Sequence, residues 1–154
     1  MKNILVLALS AVVAGLIYLC ATSVMAVTND DMYPTLPRGS HYVVNRYAYR
    51  SGDPHPGEII VFKNLKMEKP AAKRVIGVPG DSLYMDEGLL IRNGKLLKEP
   101  YANTAPAKGI PELTVPEDHF FVLNDRRELS NDSRSNEIGL VKKSDIIGRV
   151  IFIF

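Results

Sequence analysis

The chain has 154 residues, and 19 Lys and Arg against 17 Asp and Glu leave a formal net charge of +2. A balance so close to neutral excludes a polyanion-binding surface or an acidic tail as the organising feature. At 46% hydrophobic and 23% charged, with 11 Gly and 10 Pro, the sequence is no disordered polymer and carries enough apolar side chain for one ordinary core.

The first expected element is a membrane span. Ile4 to Val27 runs for 24 residues without a charge, whereas every acidic residue and every basic one except Lys2 lies from Asn29 onward. As a helix this run is about 36 Å long at ~1.5 Å per residue, enough to cross a ~30 Å hydrocarbon core. Lys2 and the amino terminus on one side, with Asp30 and Asp31 on the other, place the N-terminus in the cytoplasm. The expected organisation is therefore a cytoplasmic start and single-pass signal anchor over 1–27 in the cell membrane, then an extracytoplasmic domain over 28–154. A cleavable signal peptide is the alternative, since Val24-Met25-Ala26 offers small or apolar residues to a peptidase. The run exceeds the roughly 7 to 15 apolar residues of a signal peptide, which favours the anchor. Cys20, the only cysteine, lies inside it, so the domain has no internal disulfide and is held by its core alone. Leu19 is too large for the position before a lipid-attachment cysteine, and Cys20 reads as an apolar residue.

Beyond the anchor, short runs rich in β-branched and aromatic residues predict strands at His41 to Tyr47, Glu58 to Phe62, Lys73 to Val78, Phe120 to Leu123 and Val150 to Phe154, each bounded by Gly, Pro, Asp or Asn. Asn93-Gly94, between LLIR and KLL, predicts a two-residue hairpin. Leu140 to Ile147 is the only hint of a helix. No repeat or low-complexity tract is present. The expected class is mostly β, an antiparallel sheet folded into a sandwich or partial barrel after one N-terminal transmembrane helix.

Generic catalytic templates are mostly absent. His41, His55 and His119 lack metal-site spacing, so no metal or cofactor is expected. There is no Gly-rich phosphate loop and no GxSxG elbow, and nothing suggests a nucleic-acid partner.

Four segments in order carry more information: Asp31-Met32-Tyr33-Pro34-Thr35-Leu36-Pro37-Arg38-Gly39 directly after the apolar run, Pro56 to Phe62, Lys73-Arg74-Val75-Ile76-Gly77-Val78-Pro79-Gly80-Asp81, and Leu123 to Arg134 with Ser130-Asn131-Asp132-Ser133-Arg134. Together they resemble the bacterial type I signal peptidases of the short Gram-positive kind, over essentially the whole chain. The resemblance implies the signal-peptidase β-fold and a membrane-anchored serine-lysine endopeptidase that removes signal peptides from exported precursors. It also implies a role for each matching residue. Asp31 stands at the nucleophile position, where the family has Ser; Lys73 is the general base; Ser130 orients the Lys73 amine; Asn29 supplies the oxyanion-hole side chain. Asp132 and Arg134 form a structural ion pair. Met32 lies at the mouth of the substrate groove, and Ala71, Ala72, Lys73, Arg74 and Val75 form the edge beside which the peptide is added as a strand. Asn124 and Arg126 replace the family's Gly and Asn and add bulk near the site.

Asp31 changes the expected function more than the fold. A base lysine must have its pKa brought down, and a carboxylate opposite it favours the ammonium instead. The favoured reading is a non-catalytic member resembling the signal-peptidase-like proteins encoded beside pilus subunits, with exported precursors or pilin subunits, the membrane, and sortase or pilus machinery as partners. The alternatives are an active type I signal peptidase, natural or carrying an introduced Asp31, and a tethered β-domain whose work lies elsewhere on its surface.

Overall fold

The computed structural model describes all residues except 1–2, 5, 8, 11, 13–14, 16–20, 64 and 104–108. The expected anchor falls partly outside the described residues, and among the described ones no helix is long and apolar enough to cross a membrane.

Eleven strands account for the fold of the described residues: β1 (Thr22–Ala26), β2 (His41–Asn45), β3 (Ile59–Phe62), β4 (Ala71–Gly77), β5 (Ser82–Asp86), β6 (Leu89–Arg92), β7 (Lys95–Leu96), β8 (Ile110–Thr114), β9 (His119–Leu123), β10 (Val141–Lys142) and β11 (Ile146–Ile153). They form a seven-stranded sheet in the order β1-β2-β11-β3-β4-β9-β10 and a four-stranded sheet in the order β7-β6-β5-β8, with antiparallel pairing throughout. The mostly β, antiparallel expectation therefore holds. Register shifts in β11, between Ile146 and Gly148 and again between Val150 and Phe152, bend the large sheet into an open half-barrel, because a bulged strand turns and twists more sharply than its partner. Gly148 permits the bend: a Cβ there would strike the Asn45 carbonyl and the Val44 side chain.

Three apolar clusters hold the layers. Val27, Met32, Leu36, Tyr42, Val44, Ile59 and Val61 fill the concave side near β1 and β2. Ile60, Phe62, Val75, Phe120, Val122 and Val141 cover the opposite side of β3, β4 and β9. Ile76, Phe121 and Leu123 meet Leu83, Met85 and Leu90, and so bind the small sheet to the large one. Strand β4 is buried from Lys73 to Gly77, which explains its nearly continuous apolar sequence around two basic residues.

The Asn93-Gly94 turn forms as expected, with φ of 53° and 73°, the pair of positive values a type I′ turn requires. Asn93 also accepts the Ser82 N–H at 2.8 Å and donates to Asp81 at 2.6 Å, pinning the hairpin to the start of β5.

Two expectations are corrected. The apolar run does not stay helical to Val27: Thr22–Ala26 is β1, paired residue for residue with β2. Within an uncharged stretch nothing marks where a helix would give way to a strand, and partner β2 decides it. The hinted helix at Leu140 to Ile147 is instead β10, one 3₁₀ turn over Lys143–Asp145, and the start of β11. Pairing of Val141 with Phe120 and of Ile146 with Phe62 satisfies backbone groups that a helix would have had to bond internally.

Candidate functional site

After β1 the chain leaves the sheet and returns at β2. Val27 donates its N–H to Ser40 and accepts that of Gly39, closing the neck of this excursion. Met32 and Leu36, 2% and 1% exposed, plug its interior into the concave core. The plug carries Asp31 inward, where it is 5% exposed, facing Lys73 on β4, which is fully buried. Lys73 Nζ donates to Asp31 Oδ2 at 2.6 Å.

Two asparagines complete the surroundings of the carboxylate. Asn29 Nδ2 donates to Oδ2 at 2.9 Å, and Asn131 Nδ2 sits 3.0 Å from both oxygens. Asn29, the expected oxyanion-hole donor, thus spends its amide on Asp31, and its own Oδ1 faces the Asp31 N–H at a long 3.4 Å. Asn131 is held in turn by Asn124, whose Nδ2 donates to Asn131 Oδ1 at 2.7 Å and to the Leu129 carbonyl at 3.0 Å. Ser130 is exposed, and among the described residues its hydroxyl makes no hydrogen bond to Lys73. Asn131, one residue along, is the group that turns inward. Sequence reading passed over Asn131; its one signal was a second asparagine seven residues after Asn124 in the same loop.

Burial pulls the Lys73 ammonium below its ordinary value, and the charge and hydrogen bond of Asp31, with a weaker contribution from Asp132, only partly offset it. The expected upward pull of the carboxylate is present but is the smaller effect, because the amine is fully desolvated inside β4.

A second layer fixes these groups. Arg134 donates to Asp132 at 2.8 and 2.6 Å, the expected structural pair, and Asp132 accepts the Asn124 N–H at 3.0 Å. Arg74 forks onto Asp125 at 2.7 and 2.6 Å, donates to the Gly57 carbonyl, and lies 4.0 Å above the Tyr101 ring. Arg127 donates through both terminal nitrogens to Glu99 and through Nε to the Asn124 carbonyl at 2.7 Å. Arg126 holds the excursion itself: its N–H reaches the Asp31 carbonyl at 3.0 Å, and its guanidinium lies 3.8 Å from Asp30.

Beside the pair lies a cavity of about 170 Å³ lined by residues that include Met25, Asn29, Met32, Tyr42, Ala71 and Ala72. The edge available to an added strand is shorter than expected. Arg74 and Val75 are paired with β3 or its approach on one side and with Leu123 and Val122 of β9 on the other, so they are closed to a peptide. Only Ala71, Ala72 and Lys73 pair with β3 alone and keep their other side open. Among the described residues no group of His, Cys, Asp and Glu is placed to hold a metal. The arrangement offers a buried ion pair, its carboxylate ringed by donors, next to a small, mainly apolar groove with a short free strand edge.

Known proteins similar to this chain share one family. The family model described as signal peptidase, peptidase S26, matches residues 1–154. A probable signal peptidase I of Synechocystis sp. is 32% identical over 99% of this chain and 81% of its own length. Signal peptidase IB of Staphylococcus aureus is 34% identical over 83% of this chain and 75% of its own. The crystal structure of a signal peptidase I from Enterococcus faecalis superposes with a TM-score of 0.56 at 30% identity, covering 65% of this chain and 97% of that one.

Proposed function

The chain belongs to the signal peptidase family, peptidase S26, and from that premise we propose that it holds exported precursor proteins in its groove without cutting them and assists the assembly of pilus or surface proteins. The observation that carries the reading is the 2.6 Å contact between the buried Lys73 Nζ and Asp31 Oδ2. Asp31 occupies the place that the motif resemblance gives to the nucleophilic Ser. A carboxylate there has no proton for a base to remove, and its attack on an amide would give a high-energy anhydride. Loss of the nucleophile lowers turnover by about six orders of magnitude in a well-studied serine protease. The free edge at Ala71 to Lys73 and the apolar cavity beside it support binding of an extended peptide by strand addition.

The proposed setting is the cell membrane, with the N-terminus cytoplasmic and the domain outside. Val24, Val43 and Phe152 lie in one row across β1, β2 and β11, with Val24 and Phe152 each 60% exposed; this uncharged row begins on the strand that the apolar segment enters. Clients are exported precursors or pilin subunits, with sortase or pilus machinery as neighbours.

A second reading, a signal peptidase that cleaves with Asp31 in place, draws on the lowered pKa of Lys73, since a base made available by burial is what cleavage would use. One experiment separates the two. Full-length protein is mixed with a radiolabelled preprotein, alongside Asp31→Ser. The holding role predicts no cleavage by the natural chain, recovery of a precursor complex by crosslinking, and measurable cleavage by Asp31→Ser. Cleavage by the natural chain at the rate of Asp31→Ser would overturn it.

A further inference from the structure

Among the described residues, the buried tyrosines differ in one respect. Tyr49 donates its hydroxyl to Glu58 at 2.8 Å, and Tyr101 donates to Glu99 at 3.0 Å. Tyr42 is more deeply buried than either, at 5% exposure, yet its hydroxyl makes no hydrogen bond among the described residues. Its phenol is pushed up from the ordinary value by burial alone, with no hydrogen bond contributing, in contrast to Tyr49 and Tyr101. Alternation along β2 turns His41 and Val43 outward and Tyr42 and Val44 inward, and Tyr42 lines the cavity beside Ala71 and Ala72.

The other polar side chains of the cavity wall are either committed or exposed to solvent. Asn29 is bonded to Asp31, and the Asp31 and Lys73 charges satisfy each other. Thr28 and Lys69 are exposed at the rim. Among the described lining residues Tyr42 therefore brings the one buried side-chain hydrogen-bonding group that has no partner. In the empty groove water can serve the hydroxyl. A peptide that fills the groove expels that water, and a buried hydroxyl then left unpaired weakens binding unless the peptide supplies the partner.

We infer that Tyr42 makes the groove selective for a precursor segment that places a small hydroxyl side chain, serine or threonine, in this cavity. A volume of about 170 Å³, with Ala71 and Ala72 in the lining, favours a small side chain. A phenol can both donate and accept, so a serine or threonine hydroxyl can pair with it in either sense. Alanine leaves the phenol unpaired, and a charged side chain placed among the buried residues of the lining would lose its hydration at a cost. The inference rests on the groove being a peptide site.

The test uses the full-length chain in detergent solution and fluorescence anisotropy of a labelled alanine-based octapeptide and its eight single Ala→Ser versions. Expected is one position at which serine tightens binding by about tenfold, with the gain absent in Tyr42→Phe, which removes the hydroxyl and keeps the ring. Tyr42→Phe should bind the all-alanine peptide at least as tightly as the natural chain. If the peptides bind but no serine position gains, or if the gain survives Tyr42→Phe, the selectivity fails while the peptide-holding reading stands. If no peptide of the set binds either protein, both fall together.

Discussion

Glu99 and Arg127, 28 residues apart in sequence, meet in a two-pronged pair at 2.8 and 2.6 Å with both side chains over nine-tenths buried. Glu99 comes from the segment after β7, which belongs to the small sheet, and Arg127 from the loop after β9 that carries Asn124 and Asn131. The same segment places Tyr101 under Arg74 and lets Asn103 accept the Arg127 N–H at 2.6 Å. A strap from the small sheet thus secures both the neighbour of Lys73 and the loop that reaches Asp31.

Glu99→Ala leaves a buried guanidinium with no counter-charge, and breaking such a pair costs about 3–5 kcal/mol. Urea unfolding should show a loss of that size. The double variant Glu99→Leu with Arg127→Met removes both charges and should recover most of it, which would separate the charge effect from lost packing.

Asp31→Ala should change how stability responds to alkali. Lys73 already lies below its ordinary 10.5 because of burial, and without Asp31 that burial is opposed only by the weaker charge of Asp132, so it falls further. Between the folded and ordinary values the unfolded chain binds the extra proton, so stability rises with pH in that window and is lost again as pH falls through it. Each further unit of depression steepens the total rise by about 1.4 kcal/mol. Denaturation from pH 7 to 10.5 should therefore show a larger gain for Asp31→Ala than for the natural chain; equal gains would mean that the pair does not set the Lys73 equilibrium.

Glu58 governs the acid side. Burial alone would raise its carboxyl, but the His55 N–H, the Arg149 guanidinium and the Tyr49 hydroxyl outweigh burial and hold it below its ordinary 4.5. With the folded value lowered, its contribution is complete above about pH 4.5 and disappears as pH falls through the folded value. Glu58→Gln should be less stable than the natural chain at pH 6, and the gap should shrink on acidification to pH 3, read by urea midpoints at each pH.

Gly148→Ala tests the bend in the large sheet. The added methyl meets the Asn45 carbonyl, part of the backbone, which cannot swing aside as a side-chain tip could. A loss of about 1–3 kcal/mol is expected from this overpacking, while Gly139→Ala, with open space around its Cβ but φ of 59°, should lose less.

Legibility from sequence followed the range of the interaction. Asn93-Gly94 is a local rule of backbone dihedrals, and both strands of the hairpin could be read around it. Lys73 and the Asp132–Arg134 pair were legible because they stand inside ordered motifs. β1 was not, since Thr22 to Ala26 continues an uncharged run and acquires its identity only from β2. Ser130 was expected at the amine, yet Asn131 takes the inward position because the larger Asp31 side chain needs donors on both oxygens. Glu99, Tyr42 and the closing of Arg74 and Val75 by β9 depend on tertiary neighbours that no spacing in the chain announces.

The position of β11 also bears on the site. This strand lies between β2 and β3, and it is the last strand in the chain. A chain folded only through β10 therefore has two ribbons with no strand ladder between them, β1 with β2 and β3 with β4, β9 and β10, joined only by contacts such as Arg126 N–H to the Asp31 carbonyl. Asp31 travels with the first ribbon and Lys73 with the second. Only β11 supplies the ladder that joins the halves, so the spacing between Asp31 and Lys73 depends on a strand that carries neither of them.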